Sequence, residues 1–126
     1  MPDELVNVRY MVDDVETAVD FYTTHFAFTV RTNAAPAFAD VVRGPLRVLL
    51  SGPKSSAGRP MPDGRVPGPG GWNRLHFIVS DIDAEVARMR AAGITFRNDI
   101  ISGPGGRQIL LEDPAGNPIE LFQPAG

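Results

Sequence analysis

Asp113-Pro114-Ala115-Gly116-Asn117-Pro118-Ile119-Glu120-Leu121-Phe122 decides the fold of this chain. Pro114 fixes φ, and Gly116 and Asn117 tolerate the left-handed region, so the first half predicts a tight turn. The run after Pro118 alternates and predicts a strand. Ile119 and Leu121 take one face, Glu120 and Phe122 the other. A carboxylate in the middle of a strand is expected where the second face lines a cavity, in some proteins one that holds a metal. The company Glu120 keeps therefore decides the chemistry.

The residues before it supply the rest of a unit. Arg107 to Glu112 predicts the hairpin partner of this last strand. Ile94 and Phe96 predict another strand. Ile82, Val86 and Met89 lie on one face of a helix that starts at Asp81 and stops at Gly93, a good residue just past a helix end. Residues 74–83 align on residues 7–16, with Asp81 over Asp14. The first half then repeats the second. Residues 5–12 predict a strand with Asn7, Arg9 and Met11 on one face and Val8, Tyr10 and Val12 on the other. Asp14 can cap a helix to about Phe26, with Val15, Val19, Tyr22 and Phe26 at three-to-four spacing. Phe28 and Val30 open a strand. Phe38 to Val42 and Leu46 to Leu50 predict a hairpin across Arg43-Gly44-Pro45. Between the halves, residues 51–71 are dense in Gly, Pro and Ser and predict a long loop, a kind that is usually functional or mobile. Trp72, the single tryptophan, ends it.

The expected architecture is α+β: two βαβββ repeats, about residues 5–50 and 73–123, in a single domain spanning 1–126. Each sheet is covered by its helix on the apolar face. The uncovered faces are expected to form a shared concave mixed sheet. A chain of 126 residues can bury roughly two-thirds of its unfolded surface. The net charge of −3 argues against nucleic acid or an anionic membrane as partner. No apolar run approaches the ~20 residues of a membrane span. The start, Met1-Pro2-Asp3-Glu4, lacks a signal peptide's basic and apolar segments. The absence of cysteine removes disulfides and thiolate metal sites, and a cytoplasmic location is expected.

The doubled βαβββ pattern resembles the vicinal oxygen chelate superfamily of glyoxalases, bleomycin-resistance proteins and dioxygenases. Val12-Asp13-Asp14 leading to Asp20-Phe21-Tyr22, Val79-Ser80-Asp81-Ile82-Asp83, Ala91-Ala92-Gly93-Ile94 and the Asp113–Leu121 ending carry the resemblance. Metal enzymes of that family place one ligand in the first and one in the last strand of each half. Those positions fall here on Asn7, Arg74, Leu49 and Glu120. Only Glu120 is a good ligand type; an arginine cannot deprotonate to bind a metal. The resemblance brings Arg74 and Glu120 together, so an ion pair is expected there and no metal. A two-residue slip that puts His76 at the ligand position is the competing arrangement, at the cost of the Asp81–Asp14 alignment.

The resemblance is greatest to the metal-free drug-binding resistance proteins. It implies a homodimer that sequesters an antibiotic, an aromatic natural product such as an enediyne or quinone, with no cofactor. Met11, Ile78, Phe122, Phe38, Leu49 and Trp72 are the expected apolar walls. Asn7, Arg9, Arg47, Arg74, His76 and Glu120 are the expected orienting groups. Arg9 and Arg47 can equally face solvent, and Phe38 and Trp72 can equally be loop anchors. The alternative is an isomerase or lyase of the same family that uses Glu120 and His76. Gly103-Pro104-Gly105-Gly106 lacks the Lys-Ser/Thr and the helix of a phosphate loop and predicts a plain turn.

Overall fold

The computed structural model describes residues 5–126; the acidic start Met1-Pro2-Asp3-Glu4 lies outside them. The described residues form two compact units that divide between Gly70 and Gly71. The first contains β1 (Val6–Met11), α1 (Val15–His25), β2 (Thr29–Ala34), β3 (Phe38–Arg43) and β4 (Leu46–Ser51). The second contains β5 (Leu75–Ile78), α2 (Ile82–Ala91), β6 (Ile101–Gly103), β7 (Gly106–Glu112) and β8 (Pro118–Pro124). The sheet orders are β1-β4-β3-β2 and β5-β8-β7-β6, so each unit repeats one topology. In each, the first strand runs parallel to the last and the remaining pairs are antiparallel. This is the expected α+β arrangement of two βαβββ units.

The repeat is written in the caps. Thr17 N–H donates to Asp14 Oδ1 at 3.1 Å, and Ala84 N–H donates to Asp81 Oδ1 at 3.1 Å. Each such cap is worth about 1 kcal/mol. Gly93 follows the second helix with φ +80°, the left-handed stop its residue type favours. Asp83 also reaches from α2 to β7, where Arg107 binds it through two bonds of 2.7 and 3.0 Å. Those hydrogen bonds hold the Asp83 carboxyl below its usual range.

The cores follow the alternation. In the first unit Tyr10, Val41, Val48 and Leu50 are buried, together with α1 residues Val15, Ala18, Val19 and Tyr22. Tyr22 is fully buried and meets the rings of Phe21, Phe26 and Phe28 at 5.1–6.3 Å. In the second, Phe77, Ile109, Leu111, Ile119 and Leu121 are buried with Ile82, Val86 and Met89 of α2. No helix among the described residues is long and apolar enough to cross a membrane.

One expectation needs correction. Ile94 and Phe96 do not form a strand; Phe96 makes a lone bridge to Leu111, and the edge strand of the second sheet is Ile101–Gly103. The cause is Asn98. Thr95 and Arg97 still bond β7 through Glu112 N–H to Thr95 O and Arg97 N–H to Leu110 O. At the next step the Asn98 side-chain oxygen, not a backbone carbonyl, accepts from Leu110 N–H at 2.9 Å, and the chain leaves the ladder. The expected long loop joins the two units. Its first part is folded: Ser55 and Gly58 are buried, and a 3₁₀ turn spans Ser56–Gly58. A Cβ on Gly52 would lie 2.8 Å from Pro36 O, and one on Gly58 would lie 2.7 Å from Gly52 O. Glycine there serves close backbone packing as well as turning.

Candidate functional site

The Asp113–Asn117 turn positions Glu120. Asp113 Oδ1 accepts from the N–H groups of Ala115 and Asn117, both at 2.9 Å, and its Oδ2 accepts from Asn117 Nδ2 at 3.0 Å. Gly116 takes φ +91° to close the turn. The strand that leaves it sets Ile119 and Leu121 into the core and Glu120 and Phe122 on the opposite face. Across the sheet, one row on that face reads His76–Glu120–Leu110 and the next reads Ile78–Phe122–Gln108.

Glu120 is 7% exposed. Arg74, just before β5, donates to Glu120 Oε1 through Nε at 3.0 Å and Nη2 at 2.9 Å. Its Nη1 donates to Trp72 O at 3.3 Å. His76 Nε2 stands 3.5 Å from Glu120 Oε2. The His76 ring also lies 5.1 Å from the Phe122 ring. The expected Arg74–Glu120 pair is therefore present, and His76 joins it. Ile78 beside them is 67% exposed, an apolar side chain open to solvent next to the Glu120 cluster.

The first unit carries the matching grid. Its open-face rows are Asn7–Arg47–Val42, Arg9–Leu49–Asp40 and Met11–Ser51–Phe38. Leu49 stands opposite Arg9 as Glu120 stands opposite His76, so Leu49 is the counterpart of Glu120 and offers no ligand atom. Arg9 Nη1 donates to Ser51 Oγ at 2.8 Å. Arg47 Nε donates to Asp40 Oδ2 at 2.5 Å, and Asp40 is fully buried. Asn7 is exposed, and Met11, Leu49 and Phe38 are half-buried. All six residues expected from the first half thus share one face.

Trp72 is 71% exposed, and the Arg97 guanidinium sits 4.9 Å from its ring centroid. Arg97 is in turn held by Glu112 at 2.8 Å and by the carbonyls of Gly71 and Gly116. One face of the indole is covered by a fixed cation.

Sequence reading misses Asp40, Arg97 and Gln108. Asp40 carries the signal that singled out Glu120, a carboxylate inside an apolar strand run. Gln108 and Arg97 carry no such signal; only the strand register and the Asn98 departure reveal their neighbours.

A divalent metal does not fit these residues. Among the described residues no group of three or more His, Cys, Asp or Glu side chains is placed to hold one. Glu120 has its Oε1 taken by a guanidinium, whose fixed charge opposes a second cation.

The family model for the Glyoxalase/Bleomycin resistance protein/Dioxygenase superfamily matches residues 4–121. Among the curated proteins none matches. A solved member of that superfamily from Sphaerobacter thermophilus DSM 20745 is 29% identical, with TM-score 0.74 over 94% of this chain and 95% of that one. TnmS3, an antibiotic binding protein from Streptomyces sp. CB03234, is 26% identical, with TM-score 0.71 over 99% of both chains. Lactoylglutathione lyase from Agrobacterium tumefaciens, 22% identical with TM-score 0.74 over 98% and 95%, shares the fold. With the doubled topology and a family match over nearly its whole length, the chain belongs to the glyoxalase/bleomycin resistance protein/dioxygenase superfamily.

Proposed function

We propose that this protein binds an aromatic antibiotic or related natural product and sequesters it without breaking a bond. It does so in the cytoplasm, as a homodimer and without a metal or other cofactor. The observation that carries the reading is the face around Glu120. A buried carboxylate is fixed by Arg74 and His76, and the apolar Phe122 and Ile78 stand directly beside it. Binding sites for small molecules combine apolar walls with a few fixed polar groups in this way. The first unit's own open face, with Asn7, Arg9, Met11, Phe38, Arg47 and Leu49, is proposed as ligand-facing in its own right. The likeness to an antibiotic binding protein supports the ligand class.

The test is a thermal-shift screen of aromatic antibiotics. A ligand present at a hundred times its dissociation constant should add about 2.7 kcal/mol of stability. Trp72 should report the event. Its free face can stack on a planar ligand for roughly 0.5–1.5 kcal/mol, about a threefold to tenfold change in affinity. Titration should quench the one tryptophan, and Trp72→Ala should weaken binding by that factor. A stabilising ligand that leaves Trp72 emission unchanged would place the contact away from it. A screen in which nothing stabilises the protein would defeat the binding reading.

The dimer is checked by sedimentation. A mass of twice 13.6 kDa at micromolar concentration is expected, and a monomer with and without ligand would refute it. The second reading rests on the 3.5 Å approach of His76 Nε2 to Glu120 Oε2, an acid–base pair able to move a proton next to a carbonyl. Recovery of the ligand decides between them: sequestration returns it unchanged, and an isomerase or lyase returns a product.

A further inference from the structure

Beside the hairpin that joins β6 to β7 lies a half-open cavity of about 240 Å³. Ile101, Gln108, Phe122 and the backbone of Gly103-Pro104-Gly105-Gly106 line it. Nothing charged faces it. Sequence reading takes this turn as a plain connection. Its composition leaves the cavity empty of side chains, because three of its four turn residues have none.

The two neighbouring glycines serve it differently. Gly106 has φ +147°, and a Cβ there would lie 2.2 Å from Gln123 O. No other residue fits that position without moving the backbone. Gly105 is outside the left-handed region, and a Cβ there would meet only the Phe122 ring, at 4.0 Å. Its carbonyl accepts from Ala125 N–H at 2.9 Å, a bond any residue type keeps. Gly105 is therefore not demanded by the backbone. What its missing side chain leaves is the space over Phe122.

We propose that this cavity is the subsite for a neutral, planar aromatic ring at one end of the bound molecule. The proposal rests on the binding function given above and names the class of group that this part of the site takes. A cavity of this size falls below the roughly 300–1,000 Å³ of a whole drug site, so it receives part of a ligand. Phe122 is shared between the cavity and the Glu120 face, since its ring also meets His76. Glu120 and Phe122 are two residues apart on one strand face, hence about 7 Å apart. A molecule with a hydrogen-bonding group near Arg74, Glu120 and His76 would reach the cavity with a ring one ring-width away. Gln108 opposite Phe122 offers an amide to a ring hydroxyl or quinone oxygen. The uncharged lining excludes an ionised ring.

The probe is 2-naphthol, with 2-naphthoate as its charged counterpart, followed by ¹⁵N-resolved NMR of the whole chain. The expected result is that 2-naphthol shifts the amides of Gly105 and Gly106 and the Gln108 side chain, and that 2-naphthoate shifts them less at equal concentration. Gly105→Leu should weaken 2-naphthol at least tenfold, with Gly105→Ala in between. A spectrum that keeps its dispersion shows that each variant folds. If 2-naphthol shifts the neighbourhood of His76 and Glu120 but not the turn, or if Gly105→Leu binds as well as the parent, the subsite is wrong and the binding function stands. If neither probe shifts either sheet's open face, the subsite falls, and the antibiotic screen decides the binding function separately.

Discussion

Arg47→Ala is expected to cost about 3–5 kcal/mol, the range for stripping one partner from a buried ion pair. Asp40 is fully buried, with Oδ2 on the Arg47 guanidinium and Oδ1 without a hydrogen-bond partner. Arg47 is therefore the main compensation for that charge, and its own side chain is only 26% exposed. Total stabilities of domains run about 5–15 kcal/mol, so the loss is a large share. Urea unfolding at neutral pH should show a lower midpoint at unchanged slope. Asp40→Leu combined with Arg47→Met should recover most of the loss, since apolar residues of similar volume replace buried pairs well. A cost under about 1 kcal/mol, the level of an exposed pair, would mean that water reaches Asp40.

Glu120 and Arg74 should behave as one unit. Glu120→Ala leaves Arg74 without its carboxylate, and Arg74→Ala leaves Glu120, 7% exposed in the parent, with only His76 beside it. The second should be the more damaging, because the carboxylate is the deeper group. Unlike Asp40, Glu120 is not fully buried and keeps His76 Nε2 at 3.5 Å, so part of the burden is relieved. Roughly 2–3 kcal/mol is expected for Arg74→Ala, below the range for a fully buried pair. The double variant should cost less than the two singles added, by at least 0.5 kcal/mol or so. Additive costs would show that the contact contributes nothing. If ligand binding is lost in Glu120→Ala while stability changes little, the carboxylate serves the ligand first.

The fold was legible because its signals are local. The Asx turn at Asp113, the aspartate caps at 14 and 81 and the period-two strands each need only a few neighbouring residues to be read. The repeat then supplied the topology, since two copies of one pattern form two copies of one sheet. The failures were nonlocal or depended on one side chain. Asn98 ends a ladder by standing in for a carbonyl, and asparagine in an ordinary loop has the same letter. Gly52 and Gly58 look like loop residues and are packing residues. In the site, Arg74 and Glu120 could be joined only through a known family, as 46 residues separate them. Asp40 could have been flagged by the same argument as Glu120. Its arginine lies seven residues on, across a hairpin turn, where register alone decides whether the two meet.

The adjacent glycines of the β6–β7 turn have a consequence for descent with modification. Gly106 is locked by Gln123 O, so the path of the turn requires glycine there. Gly105 is free to vary, and a single codon change there adds a side chain over Phe122 without disturbing that path. On the proposed binding function, chains that differ only at residue 105 would differ in what they accept beside Phe122 while keeping the path of the turn.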